Sequence, residues 1–178
     1  MGTDKAFVEV DGVAMVERVA DTLAAGGCDP VVMVGGDTVL LARFGRPVVP
    51  DRFPGQGPVG GVLTALDAAA ELAGPVAGSR LVIASCDLPR LDAATVASLA
   101  AAVDACDAAV AVTDTWQLSL TAWRASVRDV VAQAWEDGVR SLRELVTAVE
   151  HVEVPVDAAA LRNVNTPEEL SAADGTTR

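Results

Sequence analysis

The segment Leu81–Asp92 joins an apolar run to an acidic residue at the point where the run stops. The run has the length and composition of a strand buried on both faces, and Pro89 predicts that the strand has ended, because proline cannot donate to a sheet. Asp87 is therefore expected at the carboxyl end of a strand, where ligands bind in open α/β sheets. The alternative interpretation is a loop aspartate that either caps the helix that follows or makes an Asx-turn before it.

Strand-like and helix-like segments alternate along the chain, which predicts an α/β fold with a parallel sheet. The predicted strands are Val31–Val34, Pro47–Pro50, the strand before Asp87, Ala108–Val112, Gln117–Ala122 and His151–Val156. The predicted helices are Val13–Ala25, Thr38–Phe44, the segment after Pro58, Ala93–Asp104, Ser126–Trp135 and Ser141–Val149. Ligands are then expected at the carboxyl edge of the sheet.

Three local patterns carry more specific predictions. The dipeptide Asp11-Gly12 predicts a turn that leads from Ala6–Val10 directly into the first helix. Alternating polar and apolar residues in Gln117–Ala122 predict an antiparallel strand at an edge of the sheet. Asp92 is predicted to cap the helix that follows it.

The segment Asp51–Gly61 has the composition of a loop, with four glycines and two prolines in eleven residues. Pro58 is suited to the first turn of the next helix, which carries apolar residues on one face. The N-terminus of such a helix offers free N–H groups and a positive dipole end, which favour phosphate. The alternative is a long surface loop followed by an ordinary amphipathic helix, although loops of this length in compact domains are usually functional or disordered.

Charge and composition argue against several classes of function. The net charge of −12 disfavours nucleic acid, since a basic face is what neutralises phosphates. Hydrophobic residues make up 51% of the chain, yet no apolar run approaches the roughly 20 residues of a membrane span. Three widely spaced cysteines form neither a disulfide framework nor a metal knuckle, and no leader pattern is present, so we expect a cytoplasmic protein.

Two residue types are each represented once. Lys5 is the single lysine beside twelve arginines. Either this position needs a compact ammonium rather than a planar guanidinium, or Lys5 is a stray survivor of a coding bias. His151 has no serine or cysteine partner in a motif, so the sequence offers no catalytic triad and we interpret His151 as structural.

Four segments, taken together and in their order, resemble the molybdenum cofactor guanylyltransferase family: Met1–Ala6, Asp51 with Gly57–Gly61, Cys86–Pro89, and Asn163–Leu170. The resemblance implies one three-layer, Rossmann-like nucleotidyltransferase domain over residues 1–170, with a mostly parallel sheet and helices on both faces. It implies a frayed tail at 171–178. It also implies an activity, the transfer of GMP from Mg-GTP to molybdopterin or its molybdenum-loaded form with release of pyrophosphate.

On the nucleotide side, the resemblance implies a role for four residues. Lys5 would contact the triphosphate, Asp51 would be an acid of the nucleotide site, and Asp87 would be the catalytic, metal-binding aspartate. Gly35 falls near a family position that helps to hold the nucleotide. These residue types suit the chemistry, because transfer between phosphates needs a cation, an ammonium and in-line positioning rather than a protein nucleophile. Mg²⁺ takes one or two carboxylates and keeps several waters, which suits an isolated Asp87.

On the acceptor side, the resemblance implies a crevice lined by small residues. Its residues would be Gly57, Pro58, Gly60 and Gly61, and Asn163 and Asn165 would face the pterin. The implied substrates are GTP and molybdopterin, the implied cofactor is Mg²⁺, and a molybdoenzyme or a cofactor-delivery protein is the implied partner.

The chain departs from the family pattern in two places. Family members carry a first strand and a Leu-Ala-Gly-Gly loop before the Met-Gly-x-Asp-Lys match, so we expect the natural protein to be longer. Where the family often has His-Pro, this chain has Gln117-Leu118. Two alternatives therefore stay open: a related nucleotidyltransferase that uses CTP or another phosphorylated acceptor, and a non-catalytic binding protein of this fold.

Overall fold

The computed structural model describes residues 5–73 and 79–161. Its α-helices are α1 (Met15–Ala25), α2 (Thr38–Leu41), α3 (Pro58–Ala73), α4 (Ala93–Ala102), α5 (Arg128–Glu136) and α6 (Leu142–Thr147). Its strands are β1 (Glu9–Val10), β2 (Val13–Ala14), β3 (Met33–Val34), β4 (Val48–Val49), β5 (Arg80–Ala84), β6 (Ala108–Val112), β7 (Trp116–Arg124) and β8 (His151–Pro155). Short 3₁₀ turns cover Lys5–Phe7, Ala42–Phe44 and Ala125–Val127. The predicted alternation of strands and helices is confirmed.

The main sheet has four strands in the order β5-β7-β6-β8. Strand β6 pairs in parallel with β8, whereas β7 pairs antiparallel with both β5 and β6. Three of the four strands therefore run in one direction. The antiparallel direction predicted for Gln117–Ala122 is confirmed, but its placement at an edge is wrong, because β7 lies between two strands. Of its alternating polar positions, Gln117 and Ser119 are half-buried, and Thr121 is buried and accepts a hydrogen bond from the indole of Trp123 at 2.9 Å.

Helices cover both faces of this sheet, as the expected three-layer fold requires. On one face, side chains at alternate positions, among them Val82, Ala109 and Leu120, pack with α1 and α4. On the other face, Val110 and Trp123 pack with α3, α5 and α6. Because successive side chains along a strand point to opposite faces of the sheet, the two cores lie on opposite sides of it.

A second, two-stranded sheet pairs β3 with β4 in parallel. Val31 and Met33 are buried there, but Val34 is 37% exposed, so the prediction of a fully buried strand over Val31–Val34 is wrong at its last residue. The most buried residues alternate along the segment, Val31 and Met33, which is the pattern of a strand with one covered face.

The Asp11-Gly12 turn closes a hairpin rather than leading directly into the first helix. Both residues have positive φ, 52° and 78°, which is the backbone that a two-residue hairpin loop requires. Strand β2 therefore folds back on β1, and α1 begins at Met15, two residues later than predicted.

Asp92 caps α4 as predicted, because its carboxylate accepts a hydrogen bond from the Thr95 N–H at 2.8 Å. The segment Asn163–Leu170 and the tail at 171–178 lie outside the described residues. No helix in the described part of the chain is long and apolar enough to span a membrane.

Candidate functional site

Asp87 lies just beyond the carboxyl end of β5. The last sheet hydrogen bond of this segment joins the Ser85 N–H to the Ser119 carbonyl at 2.8 Å, and Leu88 and Pro89 are buried behind the aspartate. Atom Oδ1 of Asp87 is buried and has no hydrogen-bond partner among the described residues. Asp92, not Asp87, caps α4, so the capping half of the alternative interpretation of Asp87 is wrong.

The unpaired oxygen of Asp87 fits a metal ligand, since a buried carboxylate oxygen without a donor is costly unless something else binds it. No three His, Cys, Asp or Glu side chains cluster for metal binding within residues 5–73 and 79–161. The described residues thus offer no three-ligand cage at Asp87, which suits a hard cation such as Mg²⁺ that keeps water and phosphate oxygens as most of its ligands.

Gly35 and Asp51 lie side by side where β3 and β4 end. The Gly35 N–H donates to the Val49 carbonyl at 2.9 Å, which holds the two chain segments together. Gly35 has φ of 77°, and a Cβ placed on it would lie 3.4 Å from Cβ of Asp51. The positive φ is what favours glycine here, since a Cβ at 3.4 Å would make only an ordinary contact with Asp51.

The carboxylate of Asp51 is held on one side. Its Oδ1 accepts the Phe53 N–H at 2.9 Å and lies 3.4 Å from the hydroxyl of Thr64, which donates to it. No described residue donates to the other oxygen, Oδ2. Asp51 therefore has one anchored oxygen and one oxygen that can accept a hydrogen bond from a ligand.

The glycine just before α3 and the two in its first turns have different surroundings. Gly57 has φ of 102°, and a Cβ there would lie 3.1 Å from the Arg140 carbonyl oxygen. At Gly60 a Cβ would lie 2.7 Å from Cβ of Phe53 and 3.2 Å from the ring of Trp135, whereas at Gly61 no described atom lies within 4 Å. Gly60 is therefore required for packing, and the open side of the helix is at Gly61.

An ion-pair network ties the loop to two helices. Asp67 on α3 binds the guanidinium of Arg52 through one carboxylate oxygen and Nε of Arg128 through the other, the latter at 2.8 Å. The hydrogen bond from Arg128 to Asp67 is the main reason that the pKa of Arg128 is raised. The network fixes the loop segment after Asp51 against α3 and the start of α5.

Lys5 is exposed in the first 3₁₀ turn. Residues that follow it, Val10 and Asp11, line a cavity of about 470 Å³ together with Pro89 and Arg90 from the segment after Asp87. The remaining lining residues are Arg18, Leu91, Asp92, Asp157, Ala159 and Ala160. The structure thus brings the N-terminal segment to the loop that carries Asp87. Asn163 and Asn165 lie outside the described residues.

Thr64 and Asp67 were not among the site residues predicted from the sequence. The signal was present, because these are the only polar side chains in the apolar stretch Val59–Ala70. Their spacing of three residues places them on the same side of α3. Their partners, Asp51 and Arg52, are twelve to fifteen residues away, and local periodicity does not reveal such contacts.

Comparisons with known proteins give consistent results. A model of the MobA-like NTP transferase domain matches residues 1–154. The molybdenum cofactor guanylyltransferase of Shewanella sp. (strain ANA-3) is 30% identical over 175 residues, covering 94% of this chain and 85% of that relative.

Two crystal structures share the fold. One is the molybdopterin-guanine dinucleotide biosynthesis protein A of Archaeoglobus fulgidus, with a TM-score of 0.75 at 22% identity, covering 97% of this chain and 89% of that chain. The other is a Mycobacterium tuberculosis H37Rv protein in complex with manganese, with a TM-score of 0.69 at 16% identity, covering 97% of this chain and 92% of that chain.

Proposed function

The chain belongs to the MobA-like NTP transferase family and is therefore a nucleotidyltransferase. We propose that it transfers GMP from GTP to molybdopterin or its molybdenum-loaded form and releases pyrophosphate. The observation that carries the proposal is the extent of the likeness to relatives named molybdenum cofactor guanylyltransferase, which covers 94% of this chain. The resulting product would be a pterin linked to guanosine through two phosphates.

In the proposed site, Asp87 holds a divalent cation, Mg²⁺. Two observations support this: Oδ1 of Asp87 is buried without a described donor, and the related fold from M. tuberculosis was solved with manganese. A cation held there would neutralise negative charge on the triphosphate and on the leaving pyrophosphate. Asp87 itself contributes a carboxylate in the turn just beyond the end of β5, next to the buried residues Leu88 and Pro89.

Lys5 and the start of α3 would supply the remaining positive potential. Lys5 is exposed, and its ammonium is a compact point charge of the kind that suits phosphate oxygens. Helix α3 begins at Pro58 and runs for 16 residues, so its first N–H groups and dipole favour an anion in front of it. We place Gly57, Pro58, Gly60 and Gly61 beside that anion, with Gly61 on the open side.

Gly35 and Asp51 would hold the nucleoside rather than the phosphates. A carboxylate repels phosphate oxygens, but it accepts hydrogen bonds from ribose hydroxyls and from base N–H groups. The unpaired Oδ2 of Asp51 is suited to that role, and Gly35 leaves space beside it. Asn163 and Asn165 would face the pterin, and a molybdoenzyme or delivery protein would receive the product.

The test is a transfer assay. Purified protein is incubated with Mg-GTP and molybdopterin, and the dinucleotide and pyrophosphate are quantified by mass spectrometry and an enzyme-coupled assay. We expect a dinucleotide with GTP and little or none with CTP. No product with GTP, or turnover of CTP instead, would overturn the proposal.

Two isosteric variants make the assay specific. Asp87→Asn removes the proposed metal-binding charge, and we expect it to abolish transfer. Asp92→Asn removes a nearby carboxylate charge but keeps a good helix cap, so it is expected to retain activity. Equal activity in both variants would remove Asp87 from the mechanism.

A further inference from the structure

We propose that Thr64 is a positioning residue of the nucleotide site, because its buried hydroxyl sets the orientation of the Asp51 carboxylate. The inference rests on the proposed function, in which Asp51 binds the nucleoside. Thr64 does not touch the nucleotide in this account. It acts through Asp51.

Burial makes the hydroxyl of Thr64 unusual. Among the described residues, the polar or charged side chains that are buried are Thr64, 0% exposed, and Thr121, 1% exposed. Thr121 is explained by the indole of Trp123, which donates to it. A buried hydroxyl costs free energy unless its hydrogen bonds are made, so the contacts of Thr64 indicate what it does.

Those contacts join three parts of the chain. The Thr64 hydroxyl accepts the Arg52 N–H at 3.3 Å and lies 2.9 Å from the Gly60 carbonyl oxygen. It lies 3.4 Å from Oδ1 of Asp51. The hydroxyl has one proton, which it shares between the Gly60 carbonyl and Asp51, and it has lone pairs for Arg52. It therefore contacts the Asp51 carboxylate directly, and it also binds the backbone N–H of Arg52, the residue that follows Asp51.

This arrangement determines which oxygen of Asp51 is presented outward. Oδ1 is held by Thr64 and by the Phe53 N–H, and Oδ2 has no donor in the part of the chain that the structure describes. Gly35 lies beside the same carboxylate without a side chain of its own. Loss of the hydroxyl would leave Oδ1 with one donor, and the carboxylate could then rotate away from the orientation that presents Oδ2.

A second contact keeps the loop attached when Thr64 is changed. Asp67, one turn later on α3, binds the side chain of Arg52. Substitution of Thr64 therefore removes the hydroxyl contacts without releasing the segment from the helix. The expected effect is local to Asp51 rather than a loss of the fold.

The experiment measures the dissociation constant of Mg-GTP by calorimetry. Thr64→Val keeps the shape of threonine and removes the hydroxyl, and we expect binding to weaken about threefold, the lower end of the net contribution of one hydrogen bond, because the proton is shared with the Gly60 carbonyl. Thr64→Ser restores the hydroxyl and should bind nearly as tightly as the wild type. In an Asp51→Asn background, Thr64→Val should add little, because its effect passes through Asp51.

Two further variants control the measurement. Thr147 donates its hydroxyl to the Arg143 carbonyl at 2.8 Å, the same spacing as Thr64 to Gly60, but it lies on α6, so Thr147→Val should leave binding unchanged. Thermal melts show whether each variant folds. If Thr64→Val does not fold, Thr64→Ala replaces it, because alanine removes the hydroxyl without adding a methyl group.

The outcomes separate the inference from the function on which it rests. Wild-type affinity in Thr64→Val, together with weakened binding in Asp51→Asn, would overturn the role of Thr64 alone. Additive effects in the double variant would overturn it too. Wild-type affinity in Asp51→Asn would remove Asp51 from the nucleotide site, and absence of Mg-GTP binding by the wild type would overturn the proposed function.

Discussion

Gly60 and Gly61 are neighbours on one helix turn, yet a methyl group should have opposite effects on stability at the two positions. Both have helical backbone, and replacing a helical glycine with alanine stabilises a protein by about 0.5–1 kcal/mol. At Gly61 no described atom lies within 4 Å of the new methyl. At Gly60 the new methyl would lie 2.7 Å from Cβ of Phe53, an atom fixed close to the backbone, and 3.2 Å from the ring of Trp135.

The helix-propensity gain is common to both variants, so the difference between them isolates the steric effect. Overpacking of this kind costs about 1–3 kcal/mol. We therefore expect Gly61→Ala to be more stable than the wild type, and Gly60→Ala to be less stable than Gly61→Ala by about 1–3 kcal/mol.

Urea denaturation monitored by far-UV circular dichroism and by tryptophan fluorescence measures this difference. Equal stability of Gly60→Ala and Gly61→Ala would refute the packing argument. The control is an unchanged m-value, the slope of the unfolding free energy against urea concentration, because it shows that the denatured state is the same in both variants.

The same pair tests the phosphate crevice. If Gly61 lines that crevice, its alanine variant should bind Mg-GTP more weakly although its fold is more stable. Unchanged affinity in Gly61→Ala would remove Gly61 from the site. A weakened affinity in a stabilised protein is an effect of the site, since loss of folding is excluded by the same measurements.

Three further predictions concern single residues. Asp87→Ala should lose Mn²⁺ binding measured by electron paramagnetic resonance while its melting temperature stays near that of the wild type; retained Mn²⁺ binding would contradict the metal site. Lys5→Arg should lower the rate of GMP transfer, since a planar fork does not replace a point charge, and a wild-type rate would contradict the role of the ammonium. Asp92→Ala should cost about 1 kcal/mol of unfolding free energy near neutral pH through the lost helix cap. Hydrogen bonds from Thr95 lower the pKa of Asp92 below its ordinary value of 3.8. The difference in unfolding free energy between the wild type and Asp92→Ala should therefore be fully present above pH 3.8 and shrink as the pH falls through the folded-state pKa. A difference that stays constant with pH in urea denaturation would contradict this prediction.

Features that depend on a few adjacent residues were predictable. The strand Ala108–Val112 has the predicted bounds, and Asp92 caps α4 as expected. The position of Asp87 beyond a strand end was also predicted, because an apolar run and a proline define it locally. These features follow from backbone restrictions and side-chain periodicity, which act over a few residues.

Sheet order was not predictable in the same way. The sequence of β7 indicated an antiparallel strand, but alternation is the same for a half-exposed edge strand and for an interior strand whose polar residues bond to one another. The pairing of Leu81 with Trp123 and of Ala108 with His151 joins residues more than forty positions apart. Such pairs are selected by the packing of two whole faces rather than by local pattern.

The sequence by itself determined where strands end, and thereby that Gly35, Asp51 and Asp87 each follow a strand. Tertiary structure alone decided which oxygen of Asp51 is held, that Thr64 holds it, and that Gly60 is enclosed while Gly61 is open. The physical reason is distance along the chain: strand ends are fixed by neighbouring residues, whereas a hydrogen bond from α3 to Asp51, or a contact between Gly60 and Trp135, exists only once distant segments have packed together.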